Sequence, residues 1–128
     1  MSKPILALDW NSTLQNQIGE ICRRTCLIPK DFTQWNPQLG SRVGRTQPDF
    51  DKWAWTDTSI QAMADPYPGA ARCVAALAKS WRIWIVTSTS NPTILPGWLR
   101  KHKFESVERI IITDDKGSVD WNTLIDDR

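Results

Sequence analysis

Short apolar segments that end in polar residues recur along the chain, and this pattern constrains the fold more than any other feature. They read PILALD at 4–9, WRIWIVTS at 81–88, ERIIIT at 108–113 and NTLIDD at 122–127. Runs of this length, rich in Ile, Leu, Val and Trp, are typical of buried strands. Because segments with helical spacing separate them, the sequence predicts an α/β domain with a largely parallel sheet.

Helical spacing of apolar residues marks the intervening segments. Helices are expected within 14–26, 58–64, 66–80 and 92–104, the last interrupted or started late by Pro96. Residues 29–56 are different, since they contain three prolines and two glycines and show no sustained period. We expect a loop-rich insertion with little regular structure there.

The composition fits one globular domain of 128 residues with a formal net charge of +2. No dense Lys/Arg block is present, so nucleic acid is not the expected partner. The apolar run near the N-terminus is too short for a signal peptide or a membrane span, which predicts a cytoplasmic protein without a membrane partner. Three cysteines, an odd number with no CxxC pair, fit reduced thiols in that compartment.

Polar side chains stand at the ends of three of the predicted strands. Asp9 ends the first, Thr87 and Ser88 the second, and Asp126 and Asp127 the last. Because the carboxyl ends of parallel strands meet at one edge of a sheet, these groups are expected to line one crevice. Carboxylates at such an edge suit Mg²⁺ held between protein and phosphate, with Asp9 as the nucleophile. A hydroxyl from Thr87 or Ser88 would bind the remaining phosphate oxygens.

These motifs, in this order, resemble the haloacid dehalogenase (HAD) superfamily of phosphatases over nearly the whole chain. LALDWNSTL at 6–14 is similar to the first family motif, a hydrophobic strand followed by DxDGT, while IWIVTS at 83–88 is similar to the second and LIDD at 124–127 to the fourth. Within the superfamily the sequence most resembles the 5'(3')-deoxyribonucleotidases. Those enzymes share a proline-glycine turn before a helix, here DPYPGAARCVAAL at 65–77, and a DK pair ahead of the last motif, here at 115–116.

The resemblance implies a Rossmann-like core whose mostly parallel sheet carries helices on both faces, with a small cap of loops and helices inserted after the first strand. It places the core at 1–14 and 66–128 and the cap at about 15–65, within one HAD-like domain. The sequence ends directly after the acidic motif, earlier than is usual in the family. If that end is natural rather than a truncation, the strand edge left open is expected to pair with a second copy or a partner chain.

The resemblance also implies a Mg²⁺ site and a set of catalytic residues. The metal ligands would be Asp9, the backbone carbonyl of Asn11 and Asp126, with Asp127 in support. The catalytic residues would be Asp9, Asn11, Thr87 and Lys116, with Lys103 as a second candidate for the lysine. Thr13 and Ser88 would contact the phosphate of the substrate.

Cap aromatics sandwich the base in nucleotidases of this type. Phe50, Trp53 and Trp55, from the FDKWAW segment, are the residues placed for that role. Stacking of this kind is worth about 1–3 kcal/mol per base. The alternative is that these rings only close the cap onto the core.

Two residues depart from the family motif. Asn11 stands where the family has a second aspartate, which protonates the leaving alcohol and then activates water. An amide donates a hydrogen bond but exchanges no proton at neutral pH, and loss of general acid–base help typically costs about 10²–10⁴ in rate. Ser12 replaces the common glycine of the turn, which constrains the backbone where it meets phosphate.

The sequence thus predicts a Mg²⁺-dependent phosphomonoesterase with an aspartyl-phosphate intermediate, acting on a (deoxy)nucleotide or a similar small phosphate and slowed by Asn11. One alternative is a catalytically degenerate HAD-fold protein that binds a nucleotide or a protein without turnover. A second alternative is a phosphatase acting on nucleic-acid ends.

Overall fold

The sheet predicted from the apolar segments is present. The computed structural model describes residues 3–33, 38–115 and 123–125. Its strands are β1 (Ile5–Leu8), β2 (Arg82–Thr87), β3 (Val107–Ile112) and β4 (Thr123–Ile125). They lie in the order β3-β2-β1-β4, and every neighbouring pair is parallel. The α/β fold with a mostly parallel sheet is therefore confirmed.

The register brings the carboxyl ends of the strands to one edge of the sheet. Leu8 of β1 lies opposite Ile85 of β2 on one side and opposite Ile125 of β4 on the other. Asp9 therefore leaves β1 beside the last residues of β2, which ends at Thr87. In open parallel sheets this edge is where ligands bind.

Both faces of β1 and β2 are apolar, as is typical of central strands in a parallel sheet. Alternate residues point to opposite faces, so Leu6 and Leu8 share one face and Ala7 lies on the other. The larger cluster joins the first face to two helices, α4 (Ala70–Leu77) and α5 (Leu95–Lys101). Its buried members are Leu6, Leu8, Trp10, Leu14, Val74, Ile83, Ile85, Leu95, Trp98, Leu99 and Phe104.

Three further helices lie between β1 and β2, namely α1 (Gln17–Arg24), α2 (Gln47–Thr56) and α3 (Thr58–Met63). They build a second apolar cluster of their own, whose buried members are Ile21, Leu27, Leu39, Phe50, Ala54 and Ile60. We call these helices and their cluster the cap. None of the helices in the described ranges is long and apolar enough to cross a membrane.

The expectation of little regular structure across 29–56 is wrong, because α2 occupies 47–56. Thr46 caps the helix by accepting a hydrogen bond from the Asp49 backbone N–H at 3.3 Å, and Pro48 sits in its first turn. Phe50 and Ala54, four residues apart, are its buried side chains. Two buried positions in ten residues are too few to produce a clear helical period in the sequence.

One helix, α1, begins later than its sequence pattern indicates, whereas α5 begins late as predicted. α1 begins at Gln17 rather than near 14, because the backbone after β1 first forms a tight turn. α5 begins at Leu95, preceded by a 3-10 turn at Pro92–Ile94, and carries Pro96 in its first turn. Proline is tolerated there because the first N–H groups of a helix have no partner within it.

The chain leaves the core and returns to it through two adjacent segments. The Asn16 backbone N–H donates to the Asp65 carbonyl at 2.8 Å, and the Tyr67 N–H donates to the Leu14 carbonyl at 3.0 Å. Gln15 and Pro66 form an isolated antiparallel bridge between these two bonds. The cap is thus tied to the core beside the turn that follows β1.

Candidate active site

The turn after β1 places the residues of the first motif. Asp9 is 4% exposed, and its Oδ1 accepts a hydrogen bond from the Trp10 backbone N–H at 2.7 Å. Trp10 is fully buried, and its carbonyl accepts from the N–H groups of the residues at 13, 14 and 15. Ser12 has a φ of 63°, a left-handed conformation in which non-glycine residues are uncommon. The buried indole therefore anchors a tight turn that fixes the backbone beside Asp9.

Two buried polar atoms of this turn lack a hydrogen-bond partner in the part of the chain that the structure describes. Asn11 Oδ1 and Thr13 Oγ1 are buried, and neither has a hydrogen-bond partner among the described residues. Buried polar groups are paired in the great majority of cases, since an unpaired one costs about 1–3 kcal/mol. Asn11 and Thr13 are therefore suited to contact a polar ligand.

The end of β2 supplies a run of hydroxyls. Thr87 is 1% exposed, and its carbonyl accepts from the Thr113 N–H at 2.9 Å, which continues the pairing of β2 with β3. Ser88, Thr89 and Ser90 form the following loop. Thr89 is also buried, and its hydroxyl donates to Gln61 Oε1 of α3 at 3.0 Å.

A cavity of about 690 Å³ lies between the turn after β1, the loop after β2 and the cap. The core contributes Asn11, Ser12, Ser88, Thr89 and Ser90, the cap contributes Gln17, Ile18, Phe32, Trp55 and Thr56, and the returning segment contributes Tyr67. The rings of Phe32 and Trp55 meet edge to face, with centroids 6.2 Å apart. Hydroxyl and amide groups thus line the core side of the cavity, and the cap side carries two aromatic rings beside an amide and a hydroxyl. None of these lining residues is charged.

The structure separates the three aromatic residues predicted to stack on a base. Trp55 lines this cavity and is 36% exposed. Trp53 lies under the Arg45 guanidinium, 4.6 Å from the ring centroid, and lines a different cavity on the cap. Phe50 is 1% exposed and packs inside the cap cluster. Only Trp55 of the three is brought to the Asn11 cavity.

The other predicted residues are distributed as follows. Asn11 and Ser88 line the cavity, while Asp9, Thr13 and Thr87 belong to the turn and strand end beside it without being lining residues. Lys103 is exposed after α5, with a φ of 67°, and is likewise not among the described lining residues. Lys116, Asp126 and Asp127 lie outside the described ranges.

Oxygen atoms at the end of β1 fit the predicted Mg²⁺ in type. A buried carboxylate at Asp9 and the backbone carbonyl of Asn11 are oxygen donors of the kind that Mg²⁺ takes. No group of three His, Cys, Asp or Glu side chains with metal-binding geometry occurs within the described ranges. The remaining predicted ligands follow β4, whose carboxyl end lies at the same edge of the sheet.

Several lining residues were not singled out from the sequence. Thr89 and Ser90 extend the hydroxyl run TSTS that begins at Thr87, so the polar end of the strand already carried a signal for them. Phe32 and Tyr67 come from a 3-10 turn and from the returning segment. Neither segment has a periodicity from which their position could be predicted.

Comparison with known proteins bears on the fold. Neither a protein-family model nor a curated protein matches the sequence. Solved structures do match. One is the HAD-hydrolase YfnB from Bacillus subtilis bound to magnesium, at 12% identity and a TM-score of 0.52. The match covers 91% of this chain and 68% of that one. A haloacid dehalogenase-like hydrolase, SP0104 from Streptococcus pneumoniae, matches at 11% identity and a TM-score of 0.52, over 88% and 62%.

A third match is L-2-haloacid dehalogenase from Xanthobacter autotrophicus with chloropropionic acid covalently bound, at 18% identity and a TM-score of 0.54. It covers 90% of this chain and 58% of that one. The chain therefore spans 58 to 68% of the length of these three structures. At such identities the likeness concerns the fold, which is that of the HAD hydrolases.

Proposed function

We propose that this protein is a Mg²⁺-dependent phosphomonoesterase that acts on a (deoxy)nucleotide or a similar small phosphate. The observation that carries the proposal is the cavity between the turn after β1 and the cap. Hydroxyls and an amide on its core side suit a phosphate, while the rings of Phe32 and Trp55 on its cap side, with Tyr67 of the returning segment, suit a flat ring. A nucleoside monophosphate combines these two parts.

Asp9 is the nucleophile in this proposal. Its carboxylate attacks phosphorus, so that an oxygen–phosphorus bond forms to Asp9 as the ester bond to the leaving alcohol breaks. The Asn11 amide and the Ser88 hydroxyl donate hydrogen bonds to the phosphate oxygens. Because Asn11 holds no transferable proton, the leaving alkoxide takes its proton from water. Water then attacks the aspartyl-phosphate and releases inorganic phosphate.

The charge of the phosphate requires positive partners beyond the described lining residues. Lys116 is the proposed lysine. Mg²⁺ held by Asp9, the Asn11 backbone carbonyl, Asp126 and Asp127 would offset the repulsion between the Asp9 carboxylate and the phosphate. Both assignments come from the motif resemblance.

A second candidate function follows from Asn11 itself. Without a proton donor at this position, the same cavity would bind a nucleotide and release it unchanged. The two candidate functions differ in whether the Asp9 carboxylate attacks the phosphate of the bound nucleotide.

Release of inorganic phosphate from the four deoxynucleoside 5'-monophosphates, measured with Mg²⁺ and with EDTA, tests the proposal. We expect slow Mg²⁺-dependent release by the natural protein, loss of release in Asp9→Asn, and about 10²–10⁴-fold faster release in Asn11→Asp. Release by Asn11→Asp alone would favour the binding protein. Absence of release from both would contradict the enzyme.

A further arm of this assay addresses nucleic-acid ends. A 5'-phosphorylated oligonucleotide is compared with the mononucleotides over a range of salt concentrations. We expect the mononucleotides to be preferred. A preference for the oligonucleotide that weakens steeply with salt would identify a nucleic-acid-end phosphatase instead.

A further inference from the structure

Gln61 of α3 is a buried polar residue that bonds to both sides of the cavity. It is fully buried, and its Oε1 accepts from the Thr89 hydroxyl and from the Asn91 side-chain N–H, each at 3.0 Å. Its Nε2 donates to the Trp55 carbonyl at 3.0 Å. One side chain therefore joins the loop after β2 to the residue that carries the cavity's cap ring.

Asn91, in the loop after β2, makes further hydrogen bonds between this loop and the cap. Its side-chain N–H also donates to the Thr56 carbonyl at 2.7 Å, and its Oδ1 accepts from the Thr58 hydroxyl at 2.7 Å. The ends of α2 and α3 are thus bonded to one residue of the loop that follows β2.

A further bond joins α3 to the turn after β1. The side chain of Gln15, also fully buried, donates from Nε2 to the Gln61 carbonyl at 2.6 Å. Directional polar bonds, rather than apolar packing alone, therefore set the position of the cap against the turn after β1 and the loop after β2. Hydrogen bonds of this kind hold one geometry, because each donor must meet its own acceptor.

We propose that Gln61 is a positioning residue that holds Trp55 at the cavity by bonding its carbonyl to the loop after β2. This inference rests on the proposed function, since it concerns how the nucleotide's ring is held relative to its phosphate. Thr89 and Trp55 both line the cavity, and Gln61 bonds to both. Loss of Gln61 uncouples these two walls and weakens binding of the ring.

The first test measures the connection without a substrate. Gln61→Met keeps the shape of the side chain and removes its hydrogen bonds. Amide hydrogen exchange is expected to become about tenfold faster both in 53–58 and in 88–91. Asn91→Ala removes the hydrogen bonds of Asn91 to Thr56 and Thr58. It is also expected to accelerate amide exchange in 53–58 and 88–91. It keeps the test decisive if Gln61→Met does not fold.

Gln47→Met is the matched control. The Gln47 side chain accepts a hydrogen bond from the Gly40 N–H and donates one to Asp51, and neither of these two bonds reaches the loop after β2. Exchange in 88–91 should be unchanged in this variant. Equal acceleration of 88–91 in Gln47→Met, or none in both Gln61→Met and Asn91→Ala, would overturn the connection.

The second test is a double-mutant cycle for deoxynucleotide binding. Gln61→Met should raise the KM, and the Kd measured by calorimetry, by about tenfold, with less than about threefold change in kcat. In a Trp55→Ala background it should add almost nothing, because it acts through Trp55. Full additivity, or an unchanged Kd, would mean that Gln61 is only a structural residue.

Failure of the proposed function has a different signature. In that case the natural protein neither binds nor hydrolyses any of the four deoxynucleotides, while hydrogen exchange in 53–58 and 88–91 still responds to Gln61→Met. The positioning of Trp55 for a nucleotide is then overturned together with the proposed function, and only the mechanical connection stands.

Discussion

An aspartate at position 11 would supply oxygen atoms near Asp9 and would also transfer protons, whereas Asn11 retains only the first of these two roles. Its backbone carbonyl and side-chain oxygen preserve oxygen atoms near Asp9, whereas its amide cannot pass a proton to a leaving group. In the proposed reaction the missing proton transfer would slow both chemical steps, departure of the alcohol and attack by water. Slow turnover and a long-lived intermediate are the expected consequences at this residue.

Trp55 and Trp53 provide a matched pair for testing which side of α2 contacts the substrate. Trp55 lines the Asn11 cavity, while Trp53, two residues earlier, lies under Arg45 at another cavity. We expect Trp55→Ala to raise the KM for a deoxynucleotide about 5- to 150-fold, which corresponds to the 1–3 kcal/mol of base stacking. Trp53→Ala should change the KM less than about twofold.

Steady-state kinetics on both variants shows which of the two tryptophans contributes to substrate binding. Circular dichroism confirms that both variants are folded. A larger effect of Trp53→Ala than of Trp55→Ala would contradict the assignment of the cavity. It would favour the cavity around Arg45 as the binding site.

At the scale of elements, the carboxyl end of α5 carries a pH-sensitive group. His102 follows the helix and packs on Trp98, with ring centroids 4.6 Å apart. Burial lowers the pKa of His102 from its ordinary value of 6.5, and the charge of Lys101 lowers it further, whereas Asp65 raises it. A helix carboxyl end normally favours a protonated histidine, so desolvation is the stronger effect here.

The depressed pKa fixes the sign of a pH effect on stability. Below pH 6.5 the unfolded chain takes up a proton that the folded protein still excludes, so acidification favours the unfolded state. The free energy of unfolding should therefore fall as the pH drops from about 7.5 towards the folded pKa, and His102→Gln should flatten this slope. Because the chain has one histidine, no second imidazole titrates in this window.

Urea unfolding of the two proteins at a series of pH values measures the slope. Equal slopes in the natural protein and in His102→Gln would show that His102 is not the group responsible. A rise in stability on acidification would show that its pKa is raised rather than lowered.

The elements differ in how much of them could be predicted from the sequence. The strands were predictable because runs such as WRIWIVTS combine length, branched side chains and polar ends. The helix α2 was not, because only Phe50 and Ala54 mark its buried side. Gln61 and Gln15 gave no signal either, since a buried glutamine differs from an exposed one only in its partners, which come from distant parts of the chain.

At the scale of the whole molecule, two apolar clusters meet at one polar junction. The core cluster supports the turn after β1, the cap cluster packs against Phe32, whose ring meets that of Trp55, and the cavity lies at the junction of core and cap. The core side of this site was predictable, because parallel strands place their carboxyl ends together. The cap side depended on how three helices fold over the sheet, which the composition of 29–56 does not determine.

The central claim is that Asp9 attacks phosphorus, and a covalent phosphoryl group on Asp9 tests it most directly. The natural protein is mixed in excess with a deoxynucleotide and Mg²⁺, quenched in acid and analysed by peptide mass spectrometry. Because Asn11 supplies no base for hydrolysis of the intermediate, we expect a phosphoryl group to be detected on Asp9 of the natural protein and no phosphorylation of residue 9 in Asp9→Asn. Phosphate release that persists in Asp9→Asn, or a phosphoryl group found on a residue other than Asp9, would contradict attack by Asp9.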